Sequence, residues 1–122
     1  MDLYTEQILD LAKHPLNRRA IEKATHTHSG VNLTCGDHVR IYLQIENGIV
    51  KEASWEGEGC AISLASASVL TEEIRGTKVS DVEILEKEDL LGFLEIPQLG
   101  PARIKCVSLC LETLKGALQS NL

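Results

Sequence analysis

Four cysteines and one aspartate are the residues of this chain whose types and spacing suggest chemistry. Cys60 follows the turn-forming run Gly57–Gly59 and precedes a segment of very small residues that predicts a helix. A thiol at a helix N-terminus is favoured as the thiolate, because backbone N–H groups and the helix dipole stabilise negative charge there. Cys60 is therefore a candidate reactive thiol or metal ligand.

A second pair of chemically competent residues, Cys35 and Asp37, stands just before the clearest predicted strand, at 38–46. Apolar and polar residues alternate along that strand, and a second predicted strand returns at 49–56 after a turn. Antiparallel pairing places the start of the first strand beside the end of the second. Cys35 and Asp37 should then lie next to the segment 57–60 that carries Cys60.

The remaining two cysteines lie on the last predicted helix, at about 102–119. Cys106 opens this helix after a break rich in proline and glycine, and Cys110 lies beside its apolar stripe. Three thiols and a carboxylate form a plausible ligand set for Zn²⁺ or for an iron–sulfur cluster, since both prefer thiolates. The spacing is not a C-x-x-C pattern, so the alternative is that some cysteines are small buried hydrophobes, which fits Cys110 best.

The elements that must position these residues predict an α+β fold, a small antiparallel sheet covered by helices. Besides the two strands, a short edge strand is predicted at 24–28, and the parity of the apolar residues favours a three-residue turn at Glu46–Gly48. The predicted helices are 5–13, 60–75 closed by Gly76, 80–86 opened by a capping box at Ser80–Glu83, 88–94 and about 102–119. No linker or repeat divides the chain, so residues 1–122 are predicted to form a single domain.

Composition excludes several classes of partner. The net charge of −6 argues against binding to nucleic acid or to an anionic membrane surface. No run of apolar residues is long enough to span a membrane, and the acidic N-terminus does not have the pattern of a signal peptide. The chain is therefore predicted to be cytoplasmic, where cysteines are more often thiols or metal ligands than disulfides.

Three segments together carry a specific resemblance: Thr34–Asp37, Glu56–Ser68 and Pro101–Cys106. They resemble, in order, the ligand segments of the U-type iron–sulfur assembly scaffold family, which includes IscU, SufU and the N-terminal domain of NifU. The resemblance implies a compact α+β fold with a three-stranded antiparallel sheet. It also implies that zinc or a [2Fe–2S] cluster is held by four ligands, namely Cys35, Asp37, Cys60 and Cys106.

The same resemblance implies a role in sulfur handling. A cysteine desulfurase of the SufS or IscS type would donate sulfur, and apo iron–sulfur proteins would receive the finished cluster. Cys35 and Cys106 are the candidate persulfide acceptors, and Lys105 is either an electrostatic helper or a solvated lysine. The chain would then be an assembly protein and not an enzyme, apart from sulfur relay. The alternatives are a zinc-dependent sulfur acceptor that stimulates a SufS-type desulfurase and, ranked below it, a structural zinc module that binds proteins.

The motifs divide between two branches of the family. Lys105 replaces the histidine that IscU-type members carry before the third cysteine, and Leu99–Arg103 replaces the motif read by a dedicated chaperone, so that chaperone is not an expected partner. These features and Glu56–Cys60 are SufU-like, whereas the separation of 46 positions between the second and third ligand cysteines is IscU-like. His26 and His28 form a His-x-His pair that fits either a metal site or two surface residues without a role.

Overall fold

The computed structural model describes residues 3–32, 36–96 and 100–119. Within them, the strands form one antiparallel sheet in the order β1-β2-β3, and the longer helices pack on one of its faces. The strands are β1 His26–Asn32, β2 Asp37–Glu46 and β3 Ile49–Glu58. The helices are α1 Leu3–Lys13, α2 Ala61–Ile74, α3 Val79–Glu83, α4 Lys87–Phe93 and α5 Pro101–Gln119. The predicted α+β architecture is therefore confirmed.

Strand β2 forms because apolar residues occupy alternate positions along it. Val39, Ile41 and Leu43 are buried against the helices, whereas His38 and Arg40 between them are exposed. Side chains of successive strand residues point to opposite faces, so this alternation gives the sheet one dry face and one wet face. The dry face is the surface onto which α2 and α5 pack.

The turn between β2 and β3 differs from the prediction. A three-residue turn would pair Ile45 with Ile49, but Glu46 pairs with Ile49 and only Asn47 and Gly48 lie between the strands. Both turn residues have positive φ, 53° and 74°, which is the backbone of a two-residue hairpin that matches the strand twist. The left-handed conformation predicted for Gly48 is present, but the predicted loop length is wrong.

A bulge in β3 explains why the parity of the apolar residues was misleading. Ile45 pairs with Val50, whereas the preceding Gln44 pairs with Glu52, so Lys51 is an extra residue in the ladder. One inserted residue exchanges the two faces of the strand beyond it. The short turn and the bulge together keep the apolar residues of both strands on the same face.

The edge strand β1 runs from His26 to Asn32, so it begins and ends later in the chain than the predicted 24–28. Gly30 lies within it and pairs with Val39. A Cβ at Gly30 would clash with the Thr113 side chain of α5, so glycine allows the helix to approach the strand closely. Strand propensity at this glycine is low, and packing against α5 overrides it.

The segment between α1 and β1 hydrogen-bonds to β3 along the edge that faces away from β2. The Trp55 backbone N–H donates to Asn17 O at 3.0 Å, and the indole Nε1–H donates to Leu16 O at 2.8 Å. The Arg18 guanidinium lies over the Trp55 ring at 5.3 Å and donates to Gly57 O at 2.7 Å. Arg18 therefore fixes the end of β3, directly before the segment that carries Cys60.

Helix α2 owes its position to its small side chains. Ala65, Ser66, Ala67 and Ser68 are all buried, and α2 packs against α1, α5 and β3 at once. Small residues allow such close approach on several sides. The helix ends as predicted, with Gly76 at the C′ position and a φ of 82°.

The capping box predicted at Ser80–Glu83 is wrong. Helix α3 begins at Val79, whose N–H donates to Gly48 O at 2.8 Å, so the hairpin turn supplies the acceptor in place of a side chain. A capping box instead opens α4, where Asp89 Oδ2 accepts the Glu86 N–H at 2.8 Å. In the part of the chain that the structure describes, no helix is both long and apolar enough to cross a membrane.

Candidate metal centre

Three side chains from three separate elements converge at one end of the sheet. They are Asp37 at the start of β2, Cys60 immediately before α2 and Cys106 in the second turn of α5. One ligand atom from each lies within 4.8 Å of the others. The Cys60 and Cys106 Sγ atoms are 3.3 Å apart, and Cys60 Sγ is 3.9 Å from Asp37 Oδ2. The spacing of these atoms suits binding to a common metal.

Two glycines allow the backbone to bring Asp37 and Cys60 together. His38 pairs with Glu58 at the end of the β2–β3 ladder, so Asp37 lies beside the residues that follow β3. A Cβ at Gly57 would clash with the His38 carbonyl oxygen, and one at Gly59 would lie 2.5 Å from Asp37 Oδ1. The glycines at 57 and 59 therefore allow the backbone of this segment to approach β2 closely. The juxtaposition of Asp37 and Cys60 is the one that hairpin geometry predicts.

The Asp37 carboxylate is buried, with 2% of the residue exposed, and it acts as the cap of α2. Its Oδ1 accepts the Cys60 backbone N–H at 3.1 Å, and its Oδ2 accepts the Ser63 hydroxyl at 2.7 Å. The helix has no side-chain cap of its own and no acidic residue in its first turn. A carboxylate from β2 therefore provides the acceptor and the negative charge that a helix N-terminus favours.

The pKa values of the two thiols in the site are shifted in opposite directions. Burial raises the pKa of the Cys60 thiol, but the interactions of its sulfur with the Ser63 hydroxyl and backbone and with Cys106 outweigh burial, so the pKa lies below its ordinary value. Burial and then the hydrogen bond to Cys60 raise the pKa of Cys106 to about 12. Without a metal, Cys60 is therefore the residue that ionises first, after which only the Cys106 thiol can donate between the two sulfurs.

The donor set fits the metals considered from the sequence. Two thiols and a buried carboxylate match the preferences of Zn²⁺ and, for the sulfurs, of iron–sulfur clusters. Structural zinc sites have four ligands, so this group leaves one position to be supplied. Cys35, the fourth predicted ligand and a candidate persulfide acceptor, lies outside the described residues.

The other residues considered from the sequence are not among these three ligands. Cys110 is fully buried, and burial raises the pKa of its thiol to about 12, which agrees with core packing. Lys105 is exposed and lines a surface cavity of about 330 Å³ with Val31 and Asn32. Neither His26 nor His28 takes part in a group of three potential ligands among the residues that the structure describes.

Ser63 and Arg18 contribute to the site without having been identified from the sequence. Ser63 belongs to the run of small residues that predicted close packing. It stands three residues after Cys60, about one helical turn, and this spacing could have indicated a contact with the Cys60 thiol. Arg18 contacts Gly57 across 39 positions of the chain, and nothing in the local sequence marks that contact.

The chain resembles known proteins along nearly its whole length. Residues 3–121 match the model of the NifU-like N-terminal domain family. The iron–sulfur cluster assembly scaffold protein IscU of Thermotoga maritima is 37% identical, over 96% of this chain and 93% of that protein. The zinc-dependent sulfurtransferase SufU of Bacillus subtilis is 33% identical, over 93% of this chain and 87% of that protein.

Solved structures show the same fold. A putative iron–sulfur cluster assembly scaffold for the SUF system from Fervidobacterium islandicum AW-1 has a TM-score of 0.79 and 28% identity, covering 97% of this chain and 96% of that one. The N-terminal part of a NifU-like protein from Brucella abortus has a TM-score of 0.76, covering 96% of this chain and 92% of that one. Its identity is 17%, so it supports the fold alone.

Proposed function

Because the chain belongs to the NifU-like N-terminal domain family, we propose that it is a scaffold on which an iron–sulfur cluster is assembled and from which the cluster is passed on. The observation that carries the proposal is the convergence of Asp37, Cys60 and Cys106 in a chain that is 37% identical to a named IscU scaffold. Cys35 is the proposed fourth ligand. The cargo is a [2Fe–2S] cluster, or a zinc ion in its place.

The mixed ligand set suits a site that must release what it holds. Cys60 and Cys106 would bind a metal as thiolates, and the metal lowers the pKa that keeps Cys106 protonated in its absence. Asp37 offers a hard oxygen, which is a weaker anchor than a thiolate for a soft cluster. When Asp37 releases the metal, its oxygens still accept hydrogen bonds from the Ser63 hydroxyl and the Cys60 N–H, so the buried carboxylate is not left unpaired.

Sulfur reaches the scaffold as persulfide from a cysteine desulfurase of the SufS or IscS type. A scaffold thiolate attacks the outer sulfur of the desulfurase persulfide, the sulfur–sulfur bond breaks, and the desulfurase cysteine leaves as a thiolate. Cys35 and Cys106 are the proposed acceptors, and the raised pKa of Cys106 without metal favours Cys35. The chain is a sulfur carrier in this step and not an enzyme, and Lys105 is a proposed electrostatic helper.

A second candidate function is zinc-dependent sulfur acceptance, in which zinc holds the thiols and the chain stimulates a SufS-type desulfurase. The observation that favours it is the 33% identity to a protein named as a zinc-dependent sulfurtransferase. The Glu56–Cys60 motif and Lys105 point to the same branch. Both candidates use the same site and differ in whether an iron–sulfur cluster ever forms there.

The proposed partners follow from the same assignment. They are a cysteine desulfurase and apo iron–sulfur proteins in the cytoplasm, without a dedicated IscU chaperone. The net charge of −6 favours protein partners with basic surfaces over nucleic acid or anionic lipid. Lys105, which precedes Cys106 in the chain, lines a surface cavity together with the exposed Val31.

Anaerobic reconstitution separates the two candidates. The purified chain is incubated with iron, cysteine and a desulfurase, and its visible absorption is followed before apo-ferredoxin is added. A cluster that forms on the chain and moves to ferredoxin supports the scaffold. Faster desulfurase turnover with zinc retained and no visible absorption supports the sulfur acceptor and overturns the scaffold. A chain that neither forms a cluster nor changes desulfurase turnover contradicts both candidates.

A further inference from the structure

The Ser63 hydroxyl is a buried polar group that touches the ligand set without belonging to it. Its Oγ donates to Asp37 Oδ2 at 2.7 Å and lies 3.5 Å from Cys60 Sγ. Only 7% of Ser63 is exposed, so water does not compete freely for these contacts. A hydrogen bond to a carboxylate in such surroundings is stronger than a neutral one in water.

The fold determines where the Ser63 hydroxyl points. Ser63 is the third residue of α2, and side chains on a helix tilt towards its N-terminus, which is where Cys60 and Asp37 lie. The Ser63 carbonyl oxygen accepts the Cys110 thiol of α5 at 3.6 Å. Ser63 is thus held from the side of α5, the helix that also carries Cys106.

We propose that Ser63 is a positioning residue that fixes the Asp37 carboxylate for metal binding and so sets how tightly the chain holds a divalent ion. A carboxylate oxygen has two lone pairs, so Oδ2 can accept the hydroxyl and still bind a metal. Oδ1 is held by the Cys60 N–H, and the two hydrogen bonds together fix the rotation of the carboxylate. Without the hydroxyl, Oδ2 loses the hydrogen bond that fixes its orientation.

The inference rests on the proposed function, because it requires that Asp37 and the thiols bind metal. Partners that orient a metal ligand change metal affinity by about 10–100-fold when they are removed. We therefore expect Ser63→Ala to weaken Zn²⁺ binding by about this factor. The measurement is competition between the full chain and a chelator, with Zn²⁺ alone as the probe.

Ser66→Ala is the matched control, since it deletes another buried hydroxyl from the same helix. Ser66 Oγ has no hydrogen-bond partner among the residues that the structure describes. Its removal should leave the Zn²⁺ affinity unchanged, to within about twofold. An equal loss of affinity in Ser63→Ala and Ser66→Ala would mean that helix packing and not the hydroxyl at Asp37 matters, and would overturn the inference.

A double-mutant cycle tests whether Ser63 acts through Asp37. In an Asp37→Ala background, Ser63→Ala should lose most of its effect on the Zn²⁺ affinity, because the group that it positions is gone and only the 3.5 Å contact of its hydroxyl with Cys60 Sγ is left. With Co²⁺ as the probe, Ser63→Ala should keep the thiolate-to-metal absorption of the wild type and shift the metal's own visible bands towards those of Asp37→Ala. An undiminished Ser63→Ala effect in the Asp37→Ala background would overturn the inference.

Failure of this inference is distinguishable from failure of the proposed function. If Asp37→Ala and Cys60→Ser both bind Zn²⁺ like the wild type, the metal site is wrong and the inference falls with it. If both lose affinity while Ser63→Ala binds like the wild type, the metal site stands and only the role of Ser63 is overturned.

Discussion

At the scale of single residues, three thiols of one chain have three different surroundings. Cys60 is partly exposed at the start of α2 and accepts hydrogen bonds that hold its pKa below the ordinary value. Cys106 is buried beside it, and Cys110 is buried one helical turn further along α5, each with a pKa raised to about 12. Reactivity follows the thiolate fraction and accessibility, so these cysteines should differ widely as nucleophiles.

We predict that Cys60 of the metal-free chain is alkylated faster than Cys106 and Cys110. Its rate should level off at a lower pH than that of an ordinary thiol of pKa 9.0, because a thiol with a lowered pKa becomes fully ionised at lower pH. The measurement is iodoacetamide labelling from pH 6 to 10, with each cysteine read by mass spectrometry. Labelling of Cys106 or Cys110 ahead of Cys60 in the folded chain would contradict this order.

Residue types identified the cysteines and Asp37 from the sequence, but Ser63 was not identified. Cysteines are few and are candidate metal ligands by residue type, and Asp37 stands two residues after one of them. A serine in a run of alanines and serines is common, and its contact with Asp37 crosses 26 positions of the chain. Only the structure shows that this one serine, among several in α2, faces the ligands.

At the scale of elements, the end of the β2–β3 hairpin builds the site. The ladder brings Asp37 to the segment after β3, and Arg18 fixes Gly57 from the far edge. Gly59 then leaves room for the Asp37 carboxylate, which caps α2. The hairpin therefore positions the ligand Asp37. Through Asp37 it also provides the cap of α2, the helix that begins directly after the second ligand, Cys60.

We predict that Gly59→Ala weakens Zn²⁺ binding by about tenfold or more, since displacing Asp37 removes an oriented ligand. The added Cβ would lie 2.5 Å from Asp37 Oδ1, so the carboxylate or the backbone must move. Gly92→Ala in α4 is the matched control, because a Cβ there meets nothing within 4 Å. Chelator competition on both variants measures the effect.

The control should bind Zn²⁺ like the wild type and gain up to about 1 kcal/mol of stability, as alanine favours a helix over glycine. Unchanged Zn²⁺ affinity in Gly59→Ala would show that the close approach of Gly59 to Asp37 does not matter for the site. Thermal melts of both variants show whether each is folded.

The elements themselves were mostly predictable, and their junctions were not. Alternation identified β2, and Gly76 identified the end of α2, because both depend on neighbouring residues alone. The two-residue turn, the bulge at Lys51 and the start of α3 depend on contacts between distant segments, such as the Val79 N–H with Gly48 O. Local patterns cannot report such contacts.

At the scale of the whole molecule, buried thiols link stability to pH. The pKa of the Cys110 thiol is about 12 in the folded chain and close to 9.0 when unfolded, so the folded chain holds a proton that the unfolded chain releases. Stability from this group is complete below pH 9 and is lost as pH rises towards 12. Cys106 acts in the same direction, whereas the lowered pKa of Cys60 acts in the opposite one.

We predict that the metal-free wild type loses stability between pH 9 and 10.5 more steeply than Cys110→Ala does. One retained proton corresponds to about 1.4 kcal/mol per pH unit, which sets the largest difference in slope between the two proteins. Urea unfolding at several pH values measures it. Parallel pH profiles for the two proteins would show that Cys110 does not hold its proton in the folded chain.

The overall architecture was predictable because the family resemblance and the periodicity of the apolar residues indicate the same fold. Alternating strands followed by amphipathic helices indicate an α+β fold, and the three motifs indicate which member of that class. Packing details came from the structure alone, including the close approach of α5 to Gly30 and the burial of Cys106 with Cys110 in one face. Hairpin geometry predicted that Asp37 lies beside Cys60, but separation along the chain gives no distance to Cys106, so the convergence of Cys106 with the other two had to be observed.

Zinc content after loading and desalting tests the metal centre most directly. The comparison is between Cys60→Ala and Cys110→Ala, which remove thiols of the same chain, one inside the ligand group and one in the core. We predict about one zinc per chain for the wild type and for Cys110→Ala, and little or none for Cys60→Ala, because four-coordinate zinc does not tolerate loss of a thiolate ligand. Equal zinc in Cys60→Ala and the wild type would contradict the assignment of Asp37, Cys60 and Cys106 as a metal centre.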